Sequence, residues 1–138
     1  MINFGKYAVL DGISVHFKDE PDWYWKIKPV DSGAELDLSK FMVHNRTVVH
    51  PDGSTSERTV TTLEVMHREI ALTFGGTNIP ADYSKPVAEG GEPFIPENAT
   101  IEQVEAALRR MPHKMVLEVW KEIGAAYPGW GPQSPNKL

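Results

Sequence analysis

An α+β fold is predicted for this sequence: a small N-terminal antiparallel β-sheet or hairpin packed with three to four α-helices. Three features predict it. Apolar residues alternate with polar ones before residue 30, apolar residues recur at helical spacing after residue 60, and glycine and proline punctuate the junctions. The 138 residues are enough for one domain with a core of its own, and 41% hydrophobic against 24% charged is ordinary globular composition. The 1–138 span is therefore read as a single domain. It comprises a β-rich part with a short helix (1–60), a central helix and its cap (61–80), a Pro/Gly-rich loop (81–97), a C-terminal helical pair (98–132) and a frayed tail (133–138).

Taken in order, Tyr7-Ala8-Val9-Leu10 and the alternating run Ile13, Val15, Phe17 flank Asp11-Gly12, a two-residue hairpin signal. The start is read as a strand pair rather than a signal peptide, because Asp11 interrupts the apolar patch and no small-residue cleavage site follows. A turn at Asp19-Glu20-Pro21-Asp22 leads to a second alternating run with Trp23, Trp25 and Ile27 on one side. Those rings either cover a sheet with helices or belong to an edge strand, since Pro29 lacks a ladder donor. Ser32 and Glu35 have capping-box spacing before a short helix bearing Leu36, Leu38, Phe41 and Met42. Residues 45–58 are polar around Pro51-Asp52-Gly53. They form either a hairpin, with Val48-Val49 and Thr59-Val60 as its strands, or a mobile loop.

The central helix is predicted over 61–74. Thr61 and Glu64 form its capping box, and Leu63, Met66, Ile70 and Phe74 its apolar stripe, widened by Val65 and Leu72. His67, Arg68 and Glu69 mark the opposite side, Gly75 is the expected C-cap and Pro80 forbids resumption. Four prolines and Gly90-Gly91 make 80–96 a long connection, at that length either functional or mobile. Asn98 or Thr100 caps a helix striped by Ile101, Val104, Ala107 and Leu108, Thr100 with Gln103 repeating the capping-box spacing, and Arg109-Arg110 lie at its C-terminal end. Met111-Pro112 then opens the last helix, with Val116, Val119, Trp120 and Ile123 buried, Gly124 weakening its end and 127–132 terminating it.

Chemical signals are sparse. A net charge of −5 gives no basic field for nucleic acid or anionic lipid, and no cysteine means no disulfide or thiolate site. No apolar run reaches membrane-span length, so a cytosolic protein is expected. His44 and His50 with Asp52 fall short of the three or four ligands a zinc site needs, and they read as loop histidines. Gly75-Gly76 follows a helix, whereas a phosphate cradle precedes one. Asn45-Arg46-Thr47 and Asn98-Ala99-Thr100 match a glycosylation pattern, but without a signal peptide they read as a turn and a cap. No residue is assigned a catalytic, cofactor-binding or metal-binding role, although acid–base sites assembled from distant residues leave no local trace. The suggestive remainder is aromatic. Trp120, Tyr127 and Trp130 cluster among C-terminal prolines, either closing the core or anchoring a partner.

The order of segments resembles the small tail-assembly chaperones of long-tailed, siphovirus-type bacteriophages, over nearly the whole chain. The residues that carry the likeness are W-x-W-K-I-K, S-G-A-E-L-D-L-S-K-F, E-I-A-L-T-F-G-G-T-N-I-P at 69–80, and M-P-H-K-M-V-L-E-V-W-K-E-I-G with Y-P-G-W-G-P across 111–132. The resemblance implies a non-enzymatic helper in the cytoplasm of the infected bacterium that binds the tape-measure protein and recruits tail-tube subunits. In many such phages a frameshift appends a longer domain, which here would join at 133–138. A minor virion protein, such as a head–tail completion or minor tail component, is the alternative. Met111, Met115, Trp120, Tyr127 and Trp130 are the expected partner-binding residues, with Met66, Met111 and Met115 adding adaptable surface. Self-association is left open, and neither nucleic acid nor membrane is expected as a partner.

Overall fold

The computed structural model describes residues 12–44, 47–57 and 60–132. The run 7–10 and the tail 133–138 lie outside them. The chain is α+β. Its main sheet joins β1 (Ile13–His16), β2 (Tyr24–Ile27) and β5 (Phe74–Thr77) in the order β1-β2-β5, antiparallel throughout. Val15 lies opposite Trp25 and Ile13 opposite Ile27, so one sheet face presents Val15, Trp25 and Ile27 to the core while Ser14 and Lys26 face out. β2 is the central strand and Pro29 falls beyond its ladder. The tryptophan face therefore covers a sheet rather than an edge. Trp25 is fully buried and meets Phe74 edge-on at 5.0 Å between ring centroids.

Among the described residues four helices contribute to the core with that face: α1 (Ser32–His44), α2 (Thr62–Leu72), α3 (Ile101–Leu108) and α4 (His113–Ala126). α2 sits between α1, α3 and α4, and its Met66 and Ile70 are completely buried at the centre of the core. Its N-cap is Thr61, whose Oγ1 accepts from Glu64 N–H at 3.2 Å. Thr100 and Gln103 close the capping box of α3 in both directions. α1 departs from its expected cap: Asp31 rather than Ser32 accepts the Ala34 N–H, at 2.9 Å. A carboxylate one residue earlier satisfies the same orphan donors of the first turn. Leu36 of α1 and Leu63 of α2, both expected in apolar stripes, are instead more than half exposed.

The largest correction falls at the end of α2. Gly75-Gly76 is not a helix cap but the middle of β5. Thr73 ends the helix, its hydroxyl donating to Glu69 O at 2.8 Å and Ile70 O at 3.2 Å, and the chain turns directly into the sheet. Gly75 is needed because a Cβ there would lie 3.1 Å from Lys26 O and 3.3 Å from Lys26 Cβ. Gly75 is also the residue left unpaired by the register shift, between Gly76 opposite Lys26 and Phe74 opposite Ile27, and Gly76 takes φ +123°. Of the two glycines read as a stop signal, Gly75 is thus a close-approach residue of a strand and Gly76 its positive-φ residue.

A separate hairpin joins β3 (Thr47–Val49) and β4 (Thr55–Glu57) around the Pro51-Asp52-Gly53 turn. Its described second strand is Thr55–Glu57, and Thr59 of the expected Thr59-Val60 lies outside the described residues. His50 N–H donates to Ser54 O at 2.8 Å, which closes the ladder early. Residues 49–56 are exposed.

The 80–96 connection is ordered by a short neck. Phe94 N–H donates to Ile79 O at 2.7 Å and Ala81 N–H to Glu92 O at 2.9 Å, with a bridge between Pro80 and Pro93. Ile95 plugs the core beside this neck, and a 3₁₀ turn at Val87–Glu89 fills the loop.

Candidate functional site

The five sequence-predicted partner residues come together, but as core. Trp120 is 4% exposed and Trp130 is 2% exposed, while Met111, Met115 and Tyr127 are half-buried against the same cluster. Trp120 is held by Glu69, placed by its sequence neighbours on the polar side of α2 and found completely buried. One carboxylate oxygen, Oε1, accepts from the Trp120 indole at 2.9 Å and from Gly131 N–H at 2.8 Å. Trp130 in turn donates from Nε1 to Glu35 Oε1 of α1 at 2.8 Å. The 127–132 segment is therefore a strap tied across α2, α4 and α1. Glu69 follows Val65 by four residues, which puts it on the flank of the buried stripe, and the donors it meets lie more than 50 positions away.

The strap also explains Gly124. A Cβ on Gly124 would meet Trp130 O at 3.0 Å and Gly131 Cα at 3.1 Å. A Cβ on Gly131, itself at φ +83°, would sit 2.4 Å from Gly124 Cα. Backbone packs on backbone here, so glycine at 124 admits the strap rather than fraying α4. Both indole N–H groups are thus engaged within the fold, while Met111, Met115 and Tyr127 keep part of their surface exposed.

The accessible aromatic surface is elsewhere. A groove of about 450 Å³ runs between the β1–β2 turn and the 80–91 loop, lined by Glu20, Asp22, Trp23, Pro80, Tyr83 and Pro86 among others. Trp23 is half-buried and meets Tyr83 edge-on, ring centroids 5.9 Å apart and planes at 74°. Tyr83 is 72% exposed and its hydroxyl reaches Glu20 Oε1 at 3.3 Å. Asn78 ties the two walls, accepting from Tyr24 N–H at 2.7 Å and donating to Asp22 O at 2.9 Å. Beside Tyr83, hydrogen bonds from the Ser84 hydroxyl and N–H hold the Asp82 carboxyl below the usual carboxylate range. Sequence reasoning missed Tyr83, Asn78 and Glu20. The available signal was a lone aromatic between two prolines in a long loop, where binding residues concentrate.

Titratable groups elsewhere serve the framework. Arg68 joins three helices, pairing with Glu105 at 3.0 Å and lying 4.4 Å over the Phe41 ring. Burial pushes the Glu105 carboxyl up despite that guanidinium. Burial, then the charges of Arg109 and His113, hold the His67 imidazole below its ordinary value. His50 is engaged with Ser56 Oγ at 2.8 Å in the exposed hairpin. Among the described residues no group of three or more metal-ligating side chains converges, and no helix is long and apolar enough to cross a membrane. Comparison with protein-family models, curated proteins and solved structures found nothing that matches this chain.

Proposed function

We propose that this chain is a non-enzymatic tail-assembly chaperone of a long-tailed bacteriophage, acting in the host cytoplasm on the tape-measure protein and the tail-tube subunit. The family part of this reading rests on the residue pattern at 69–80 and 111–132. These two stretches are physically one unit, since Glu69 of the first holds Trp120 and Gly131 of the second. The observation that carries the binding role is the open groove at Trp23 and Tyr83. An exposed tyrosine and a half-buried tryptophan on a hydrogen-bonded frame form a surface suited to a protein segment, with aromatic anchors of the kind that dominate interface energies.

The test is co-expression of the full chain with the tape-measure protein and the tube protein encoded beside it, followed by size-exclusion chromatography. Co-elution with either is expected, and separate elution from both refutes the proposal. Mass spectrometry of purified particles separates it from the alternative, a minor virion component: a chaperone is missing from the particle and a structural part is present.

A further inference from the structure

We infer that the Trp23–Tyr83 groove receives an extended, proline-containing peptide segment carrying lysine or arginine next to the proline. This rests on the protein-binding reading above and names the chemistry of the segment. Three features of the groove lead to it.

The first is shape. Trp23 and Tyr83 meet edge to face at 74°, so the two rings make an open corner on the groove surface, and Pro80 and Pro86 line it beside them. Rings at that angle accept a flat pyrrolidine or a methylene chain against one face at a time. A polyproline II strand is thin, carries its backbone solvated and enters already ordered, so binding costs it little conformational entropy.

The second is the state of the polar groups. The Asn78 side chain is spent on Tyr24 N–H and Asp22 O, and the Tyr83 hydroxyl on Glu20. The frame is thus rigid before any ligand arrives, and recognition is left to apolar contact and charge. A strand-addition mode would need a row of open backbone donors, and β5, the sheet edge nearest Asn78, leads directly into the loop neck at 79–81.

The third is sign. Glu20 and Asp22 line the groove, Asp82 adjoins Tyr83, and no lysine or arginine is among the lining residues. An acidic segment is repelled. A cation beside the proline reaches Glu20 or Asp22 while its stem lies on an aromatic face.

The test uses the full-length protein and three synthetic ten-residue peptides: proline with lysine, proline with glutamate at the lysine positions, and alanine with lysine at the proline positions. Binding is read by fluorescence anisotropy and by the indole N–H signal of Trp23, with Trp23→Phe to assign it. The proline–lysine peptide is expected to bind and to shift that signal. The other two are expected to bind at least about tenfold more weakly, and Tyr83→Ala to weaken the first by a similar factor. Glu20→Gln is expected to weaken it about threefold and to flatten its salt dependence. Equal binding of the glutamate peptide, or binding unchanged by both Tyr83→Ala and Glu20→Gln, overturns the inference. The two proposals fail separately. Peptide binding without a tape-measure or tube complex leaves the groove standing and removes the chaperone. A complex that forms undiminished with Tyr83→Ala removes the groove and keeps the chaperone.

Discussion

Replacing Glu69 by alanine should be among the most damaging single changes in the protein. The substitution removes the acceptor of two donors, Trp120 Nε1–H and Gly131 N–H, held at 2.9 and 2.8 Å in a fully buried site. Each donor left buried without an acceptor costs about 1–3 kcal/mol. The lost methylene and the cavity add about 1 kcal/mol, for a total of about 3–7 kcal/mol. Domains of this size are stable by about 5–15 kcal/mol, so the variant sits near the edge of folding. With a urea dependence of about 2 kcal/mol per molar, the midpoint falls by about 2 M. Glu69→Gln keeps an oxygen that can accept from both donors, so it should cost about half as much. A double-mutant cycle with Trp120→Phe should return a coupling of about 1.5–3 kcal/mol. The reasoning is refuted by a Glu69→Ala midpoint within about 0.3 M of the parent, or by alanine and glutamine variants of equal stability.

Three further outcomes are expected. Gly124→Ala in an ordinary exposed helix would stabilise by about 0.5–1 kcal/mol, but here the added Cβ presses on Trp130 O and Gly131 Cα, so urea titration should show a loss of about 1–3 kcal/mol. His67 has a folded-state pKa below its ordinary 6.5, so the unfolded chain takes up its proton first as pH falls. Its contribution is complete above about pH 6.5 and is lost as pH drops through the lowered folded value. The slope of stability against pH in that window should flatten in His67→Asn. Glu105, whose pKa is raised by burial, acts in the opposite sense above pH 4.5, so the two variants His67→Asn and Glu105→Gln should change the slope in opposite directions.

Local patterns determined the elements that depend on neighbours in sequence. Thr61 and Thr100 cap helices because a hydroxyl three residues before a free N–H reaches it without tertiary help. Val15 and Trp25 face the core because strand side chains alternate, and Val116, Val119, Trp120 and Ile123 share one side of α4 because helical spacing puts them there. The α+β class follows from those periods. Tertiary structure decided which partner each ambiguous residue met. A buried glutamate looks polar until two donors from 51 and 62 residues away converge on it. Gly75 looks like a cap until β2 lies against it, and Gly124 looks like a weak helix end until the strap crosses it. The aromatic residues at 120 and 130 face inward, and the accessible pair at 23 and 83 is joined by a loop whose neck closes through backbone bonds at Ile79 and Phe94. Periodicity carries information over a few residues. Burial of a charge, approach of two backbones and the meeting of distant rings are properties of the packed chain, so they became legible only in the folded molecule.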